Sequence, residues 1–301
     1  MGDSKIIAAA FIILLLHLSH AQAAPERVNV SLYLLDISKY DVKTGEFTAD
    51  FYLDFRCAEN CSPEKFEFMN GRGTSISKDI DTPTEKFYRI QGTFTSPVDL
   101  ERYPFDKQTI RIVLEDKLKT AGELAYVADG SGSGVDGSSI SPGWNIGDWN
   151  ASVDEHYYAP YNETYSRYTF TVGIERVKLN ALLKTFVPLF FIMFITLASL
   201  YLPPDEMGFR IAIGGSTLVT TVLLHLSLLS EIPPTPYLTF TDKFMFLTYT
   251  VLLLSFLVNI LILKLKEMNR PKDIARVQEI TEWVVLLIPV VYIILFYLML
   301  S

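Results

Sequence analysis

The sequence predicts an α+β membrane protein: a β-sandwich over residues 25–178 joined to a bundle of four transmembrane helices over residues 179–301. Three observations carry this expectation. Half of the 301 residues are hydrophobic and the mean hydropathy is +0.26, too apolar for an ordinary soluble domain. The apolar residues are unevenly spread: residues 25–178 are rich in Tyr, Phe, Asp and Glu, and long apolar spans fill the remainder. Before Arg176 no stretch holds a helical period, whereas short runs alternate apolar and polar residues.

Residues 1–24 read as a secretory signal. Lys5 follows the start, Ile6 to Leu16 is apolar, and Ala21-Gln22-Ala23 supplies the small-x-small cleavage pattern. The run is short for the alternative, a fifth transmembrane helix. The polar domain then lies outside the cell. Its two cysteines, Cys57 and Cys61, have three residues between them and predict a disulfide pinning a tight loop. No His neighbours the pair, so a metal site is not expected there.

Strands are expected over 28–38, 47–56, 66–69, 87–95, 109–115, 122–127, 144–153 and 165–177, the number and spacing of a sandwich. The clearest is 47–56, where Phe47, Ala49, Phe51, Leu53 and Phe55 alternate with Thr48, Asp50, Tyr52, Asp54 and Arg56. Residues 129–143 (DGSGSGVDGSSISPG) read as a mobile loop. Asp129, Ser131, Ser133 and Gly134 faintly resemble a calcium loop, but Ile140 replaces the closing Glu. Asn29, Asn150 and Asn162 head glycosylation sequons, which matter only in a host that glycosylates.

Four membrane helices are expected, over about 182–202, 208–231, 240–266 and 281–300. The short loops at 203–210 and 264–282 carry Arg210, Lys264, Lys266, Arg270, Lys272 and Arg276, which places them inside by the positive-inside rule and the C-terminus outside. The second span is unusual. Ile211 to Leu229 has no formal charge, yet holds Ser216, Thr217, Thr220, Thr221, His225 and Ser227. Hydroxyls gain nothing from lipid and find partners against other helices or water. Either this helix lines a pore or it is an inner helix of the bundle.

At Arg102-Tyr103-Pro104-Phe105-Asp106 the chain resembles the Cys-loop receptor superfamily, the pentameric ligand-gated ion channels. Two cysteines bracket this signature in animal members; here the matching positions are Ser96 and Ile110, so the chain resembles the prokaryotic type. Arg176 resembles the pre-membrane arginine, Pro188 the proline of the first span, and Pro233-Pro234-Thr235-Pro236-Tyr237 the linker after the pore helix. The resemblance implies an immunoglobulin-like extracellular sandwich and a homopentamer in which each subunit joins four identical partners around a central axis, one face meeting the opposite face of the next.

It also implies roles. The pore-lining positions become Ala212, Ser216, Val219, Leu223, Leu226 and Ser230, a stripe of three- and four-residue steps. Val219, Leu223 and Leu226 are apolar collars able to close by dewetting. His225, opposite Ser216, is expected to pack behind the pore. Selectivity falls to Asp205 and Glu206 at the inner end and Glu231 at the outer end, which favour monovalent cations, opposed by Arg210. Phe209 stands where cation-selective relatives usually carry Glu. The agonist site is implied beneath the hairpin around 156–165, where Tyr157, Tyr158, Tyr161 and Tyr165 offer aromatic faces to an ammonium-like ligand or pack at a subunit edge, with Phe68 and Arg89 as weaker candidates. The aromatics of a conventional amine box are poorly matched, leaving a proton, a divalent cation or a small agonist open. Coupling is implied where Tyr103, Pro104, Phe105, Asp106 and the 41–44 turn meet Pro233 and Pro234, with Asp106 and Arg176 as an ion pair.

The formal net charge of −8 argues against nucleic acid and against docking on anionic lipid, and fits a domain that concentrates cations. The sequence has no nucleophile elbow, phosphate loop or metal-ligand spacing, so an enzyme and a cofactor are not expected. The rivals are a non-conducting receptor or adhesion subunit and, with no internal repeat among the spans, a weaker transporter reading.

Overall fold

The computed structural model describes residues 24–59, 61–137 and 141–300; the expected signal segment, apart from Ala24, and Ile140 lie outside them. Strands β1 (Glu26–Asp41), β2 (Glu46–Cys57), β4 (Gly71–Asp81), β5 (Glu85–Thr95), β7 (Leu124–Ala128) and β8 (Gly134–Val135) make one sheet, ordered β4-β5-β2-β1-β7 with β8 also on β1. Strands β3 (Phe66–Phe68), β6 (Lys107–Asp116), β9 (Trp144–Tyr158) and β10 (Glu163–Arg176) make the other, ordered β3-β6-β10-β9.

The alternation in β2 turns Phe47, Ala49, Phe51, Leu53 and Phe55 inward, where they meet Tyr168, Phe170, Val172 and Ile174 of β10 in one continuous core. The sandwich therefore follows from period-two burial on two facing sheets. Cys57 and Cys61 form a disulfide at the end of β2. Strand β4 was not expected from the sequence. It pairs only with β5 and is exposed along most of its length, so it has no buried face to write into its residue pattern. The 129–143 segment is not all loop, since β8 within it pairs in parallel with β1 through Tyr33–Gly134 and Leu34–Val135.

Four helices follow: α1 (Lys178–Ser199), α2 (Met207–Leu229), α3 (Phe240–Glu267) and α4 (Pro271–Leu300), each long and apolar enough to cross a membrane. Two boundaries differ from expectation. Helix α1 begins at Lys178 rather than near 182, and Pro188 lies inside it. Helix α4 begins at Pro271 rather than near 281, because Pro271 and Asp273 make a good first turn for a polar helical segment that an apolar-span reading passes over. Helix α3 opens on a full capping box between Thr239 and Asp242.

The exposed faces of α2 and α4 differ in kind. That of α4 is apolar, with Leu286, Val290 and Ile293 outward. That of α2 mixes Val219, Leu223 and Leu226 with Ser216, Thr220, Ser227 and Ser230. Lipid suits the first surface. The second suits water or further protein.

Candidate functional site

The signature loop is the junction between the two domains. The Tyr103–Pro104 peptide is cis, a conformation nearly confined to bonds before proline. Tyr103 and Phe105 reach into different clusters. Phe105 stacks on Phe186 of α1 and meets Phe240 of α3 and Phe296 of α4 edge-on, with ring centroids 5.6–5.9 Å apart. Tyr103 is buried with Leu100 and Ile232, against Val42 of the β1–β2 turn and Val98. Its hydroxyl donates to Glu231 at 3.0 Å, just past the end of α2. Burial and the adjacent Glu231 carboxylate hold that hydroxyl well above the ordinary tyrosine range, so it remains a donor.

Backbone bonds tie the same loop to the start of α3. Phe240 N–H donates to Glu101 O at 2.8 Å, and Thr241 donates to Tyr103 O through both N–H (3.2 Å) and Oγ1 (2.9 Å). Tyr237 Oη, in the linker beyond Pro233 and Pro234, accepts from Leu100 N–H at 2.9 Å. Asp106 is 2% exposed and fully engaged. Arg176 donates to it twice, Nε at 2.8 Å and Nη2 at 3.3 Å, and Gln108 Nε2 donates at 2.8 Å. The Arg176 guanidinium also lies 4.5 Å from the Trp144 ring centroid and 5.2 Å from that of Tyr103. Arg176 ends β10, and α1 starts two residues later at Lys178. At the loop's base, where cysteines are missing, Arg111 N–H donates to Ser96 Oγ at 2.9 Å.

Along α2 all six stripe residues, Ala212, Ser216, Val219, Leu223, Leu226 and Ser230, are exposed on the isolated subunit, as are Thr220 and Ser227. Thr217, Thr221 and Leu228 are buried on the opposite face. His225 also faces inward, its Nδ1 3.1 Å from Tyr249 Oη and its Nε2 3.1 Å from Asp242 Oδ1, both on α3. Ser216 and Thr220 donate to the carbonyls of Ala212 and Ser216, both at 2.8 Å. These hydroxyls are thus satisfied without a pore, which weakens the reading of hydroxyls alone as a sign of water.

The charged candidates separate. Arg210 is not on the stripe: it is completely buried, with Nη1 3.2 Å from both Leu202 O and Gln278 Oε1. The competing arginine ring expected from the sequence is thereby withdrawn from the exposed face. Asp205 is paired with Lys266 at 2.8 Å, beside α4 residues Glu279 and Glu282. Glu231 is bound to Tyr103. Glu206 is exposed and has no ion pair among the described residues.

Of the hairpin tyrosines, Tyr158 and Tyr165 meet edge-on with ring centroids 5.7 Å apart, and His156 is edge-on to Tyr158 at 4.5 Å. Tyr157 and Tyr161 are exposed, and Tyr157 Oη donates to Asn162 at 3.0 Å. Tyr158 donates to Glu115 at 2.9 Å, a buried carboxylate also held by Arg167 Nε at 2.5 Å. Tyr165 donates to Glu163 at 2.8 Å. Phe68 is partly buried and packs against the core, edge-on to Phe51 and Phe94. Arg89 is committed to Asp50 at 2.9 Å on the other sheet, far in the topology from the β9–β10 hairpin. The faint calcium loop is an internally bonded turn: Asp129 Oδ1 accepts from Ser131 N–H at 2.9 Å and Ser131 Oγ at 2.6 Å. Among the described residues no group of three or more His, Cys, Asp or Glu is placed to hold a metal ion. Sequence reasoning missed Gln278 and Leu202, because a buried amide and a carbonyl at a helix end leave no pattern.

No protein-family model matches the chain. It is 24% identical over 251 residues to a proton-gated ion channel of Gloeobacter violaceus, covering 75% of this chain and 69% of that protein. It is 24% identical over 159 residues to the gamma-aminobutyric acid receptor subunit beta-4 of Gallus gallus, and 29% identical over 147 residues to an acetylcholine receptor subunit alpha-like protein of Manduca sexta. Those matches cover 52% and 46% of this chain, and the chain spans only 32% and 28% of the two animal subunits. These relatives are named as channels and receptors. The β-domain lies outside a plasma membrane crossed by the four helices. With its signature loop set between a β-sandwich and four helices of spanning length, the chain is similar to members of the Cys-loop receptor superfamily of pentameric ligand-gated ion channels.

Proposed function

We propose that five copies of this chain surround a cation-selective pore lined by α2 and opened by a signal received on the extracellular domain. One observation carries the reading. The stripe from Ala212 to Ser230 is the exposed face of α2, while the basic side chain at its inner end, Arg210, turns into the subunit. What remains exposed at the inner mouth is acidic, Glu206 together with Asp205 paired to Lys266, each repeated five times around the axis. Five net charges of −8 add a field that favours monovalent cations. Val219, Leu223 and Leu226 form the apolar constriction, and the signature loop carries the signal from the sandwich to the outer ends of α2 and α3.

The agonist is a small species other than a caged amine, since Phe68 packs against the core, Arg89 is paired with Asp50 and the Tyr158 and Tyr165 hydroxyls donate to carboxylates. A proton is the first candidate to test, since one relative is named as proton-gated. The deciding experiment is recording from purified, reconstituted protein while pH, divalent cations and small amines are varied. Reversal near the cation potential in a salt gradient supports the proposal. Reversal near the chloride potential overturns the selectivity. Silence under every condition supports the non-conducting receptor instead.

A further inference from the structure

The exposed face of α2 runs one ring further inward than Ala212. Among the large apolar residues of this helix, Phe209, Val219, Leu223 and Leu226 are 57–61% exposed, whereas Leu218, Val222 and Leu229 are 40–41% exposed. Three of the first four belong to the stripe, and Phe209 joins them by exposure. It joins them by spacing as well. It stands three residues before Ala212 and so continues the alternation of three- and four-residue steps. At about 100° per residue, Phe209 falls about 60° from the centre of the stripe, on the side of Thr220 and Ser227, while Arg210 falls on the opposite face.

The surroundings of Phe209 suit an ion path better than lipid. It lies in the first turn of α2, three residues after Glu206, the N-cap, and both Glu206 and Asp205 are exposed. Gly208 is exposed on the other flank of the stripe, and a Cβ placed there would meet nothing within 4 Å, so the subunit leaves open space beside the ring. The nearby cations do not compete for it: Arg210 is completely buried and Lys266 is held by Asp205 at 2.8 Å. Exposed phenylalanines of the lipid kind look different. Phe190, Phe191 and Phe194 of α1 contact one another in an apolar patch, whereas Phe209 stands between carboxylates and the small residues Gly208 and Ala212.

A phenyl ring bordered by carboxylates is the composition that holds alkylated ammonium ions. The negative face of the ring attracts the cation, its apolar body takes the alkyl groups, and the carboxylates add charge. We propose that Phe209, repeated five times around the axis, forms an aromatic ring at the inner mouth that binds alkylammonium ions arriving from the cytoplasmic side. The inference rests on the proposed cation pore lined by α2. Alkali cations are small and strongly hydrated; they gain little from the rings and pass. A quaternary ammonium sheds water cheaply and lodges there. Phe209 is thereby specificity-determining: it sorts cations by their alkyl surface, where a ring of carboxylates sorts them by charge.

The test is block of the full-length channel by tetraethylammonium, applied to the inner or the outer side of a patch or bilayer. The wild-type reversal potential is measured first; no current, or reversal at the chloride potential, sinks the pore reading and this inference with it. In a cation-selective wild type, inner tetraethylammonium is expected to block. Phe209→Leu keeps an apolar side chain without a π face and is expected to weaken inner block by about tenfold while leaving outer block unchanged. Phe209→Trp is expected to strengthen it. If Phe209→Leu does not assemble, fluorinated phenylalanines placed at 209 keep the shape of the ring and drain its face, and inner block is expected to weaken stepwise with each fluorine. A cation-selective wild type without inner block overturns this inference alone. So does inner block that is the same in Phe209→Leu or flat across the fluorinated series.

Discussion

Arg176 shows how much one side chain carries at the domain junction. Its two hydrogen bonds satisfy Asp106, and its planar cation lies between Trp144 and Tyr103. Arg176→Ala leaves a buried carboxylate uncompensated, a loss of about 3–5 kcal/mol. The variant is expected to be synthesised but to give little pentamer on size-exclusion and no current. Arg176→Lys supplies charge without the fork or the stacking plane, and is expected to recover assembly only in part. Tyr103→Phe is milder. It removes one hydrogen bond to Glu231, a loss of about 1 kcal/mol, expected as a small fall in Tm that Glu231→Gln does not deepen additively. Asp50 supplies a pH dependence. The Arg89 hydrogen bond, with help from Gln91 and against partial burial, lowers its carboxyl below the usual range. A depressed acid stabilises above its unfolded value, about 3.9, and that contribution is lost as pH falls through the folded value. The Tm difference between wild type and Asp50→Asn is therefore expected to be constant above about pH 5 and to shrink toward zero in stronger acid. Residues of this kind differ in legibility. Tyr103, Asp106 and Arg176 sit in a recognisable local motif. Phe68 and Arg89 do not, because whether an aromatic faces the core or an arginine meets a carboxylate depends on strands far away in sequence.

Elements announce themselves when burial imposes a period. Strand β2 alternates because one face meets β10 across the core, and α2 stands out because its apolar run is long. Strand β4 has neither signal; its existence is decided by the free edge of β5. The first turns of α4 are polar for a related reason, since they lie outside the apolar span. The hydroxyls of α2 mislead in the other direction: back-bonding to carbonyls one turn earlier lets Ser and Thr sit on any face. The α3 terminus offers an element-scale test. Thr239 Oγ1 accepts from Asp242 N–H at 3.1 Å and donates to Asp242 Oδ2 at 2.8 Å, while the other oxygen of Asp242 faces His225. Thr239→Ala removes a cap worth about 1 kcal/mol and loosens the carboxylate that meets α2. A lower Tm is expected, together with altered gating, because Phe240 beside it bonds directly to Glu101 of the signature loop. A Tm loss with unchanged gating would separate the cap from the coupling path.

At the scale of the whole molecule the subunit is unfinished. Its second helix leaves most of a mixed polar and apolar face uncovered, and in the proposed pentamer copies of that helix close the face around an axis. Assembly then multiplies charge as well as area. Five subunits of −8 bring −40 to one axis, and the acidic field surrounds the entrance to the proposed pore. At low salt, with a Debye length of about 30 Å at 0.01 M, that field spans the vestibule and enriches monovalent cations there; at 1 M it reaches only about 3 Å. Cation conductance is therefore expected to fall less than in proportion as symmetric salt is lowered, while an uncharged entrance gives proportional conductance. Neutralising Glu206 is expected to abolish part of this excess at the inner side only, read as a change in rectification, because its ring lies at one end of the pathway. A strictly proportional conductance in wild type would mean that the acidic charge faces away from the ions. Selectivity would then have to come from the narrow part of α2 alone, between Ala212 and Ser216.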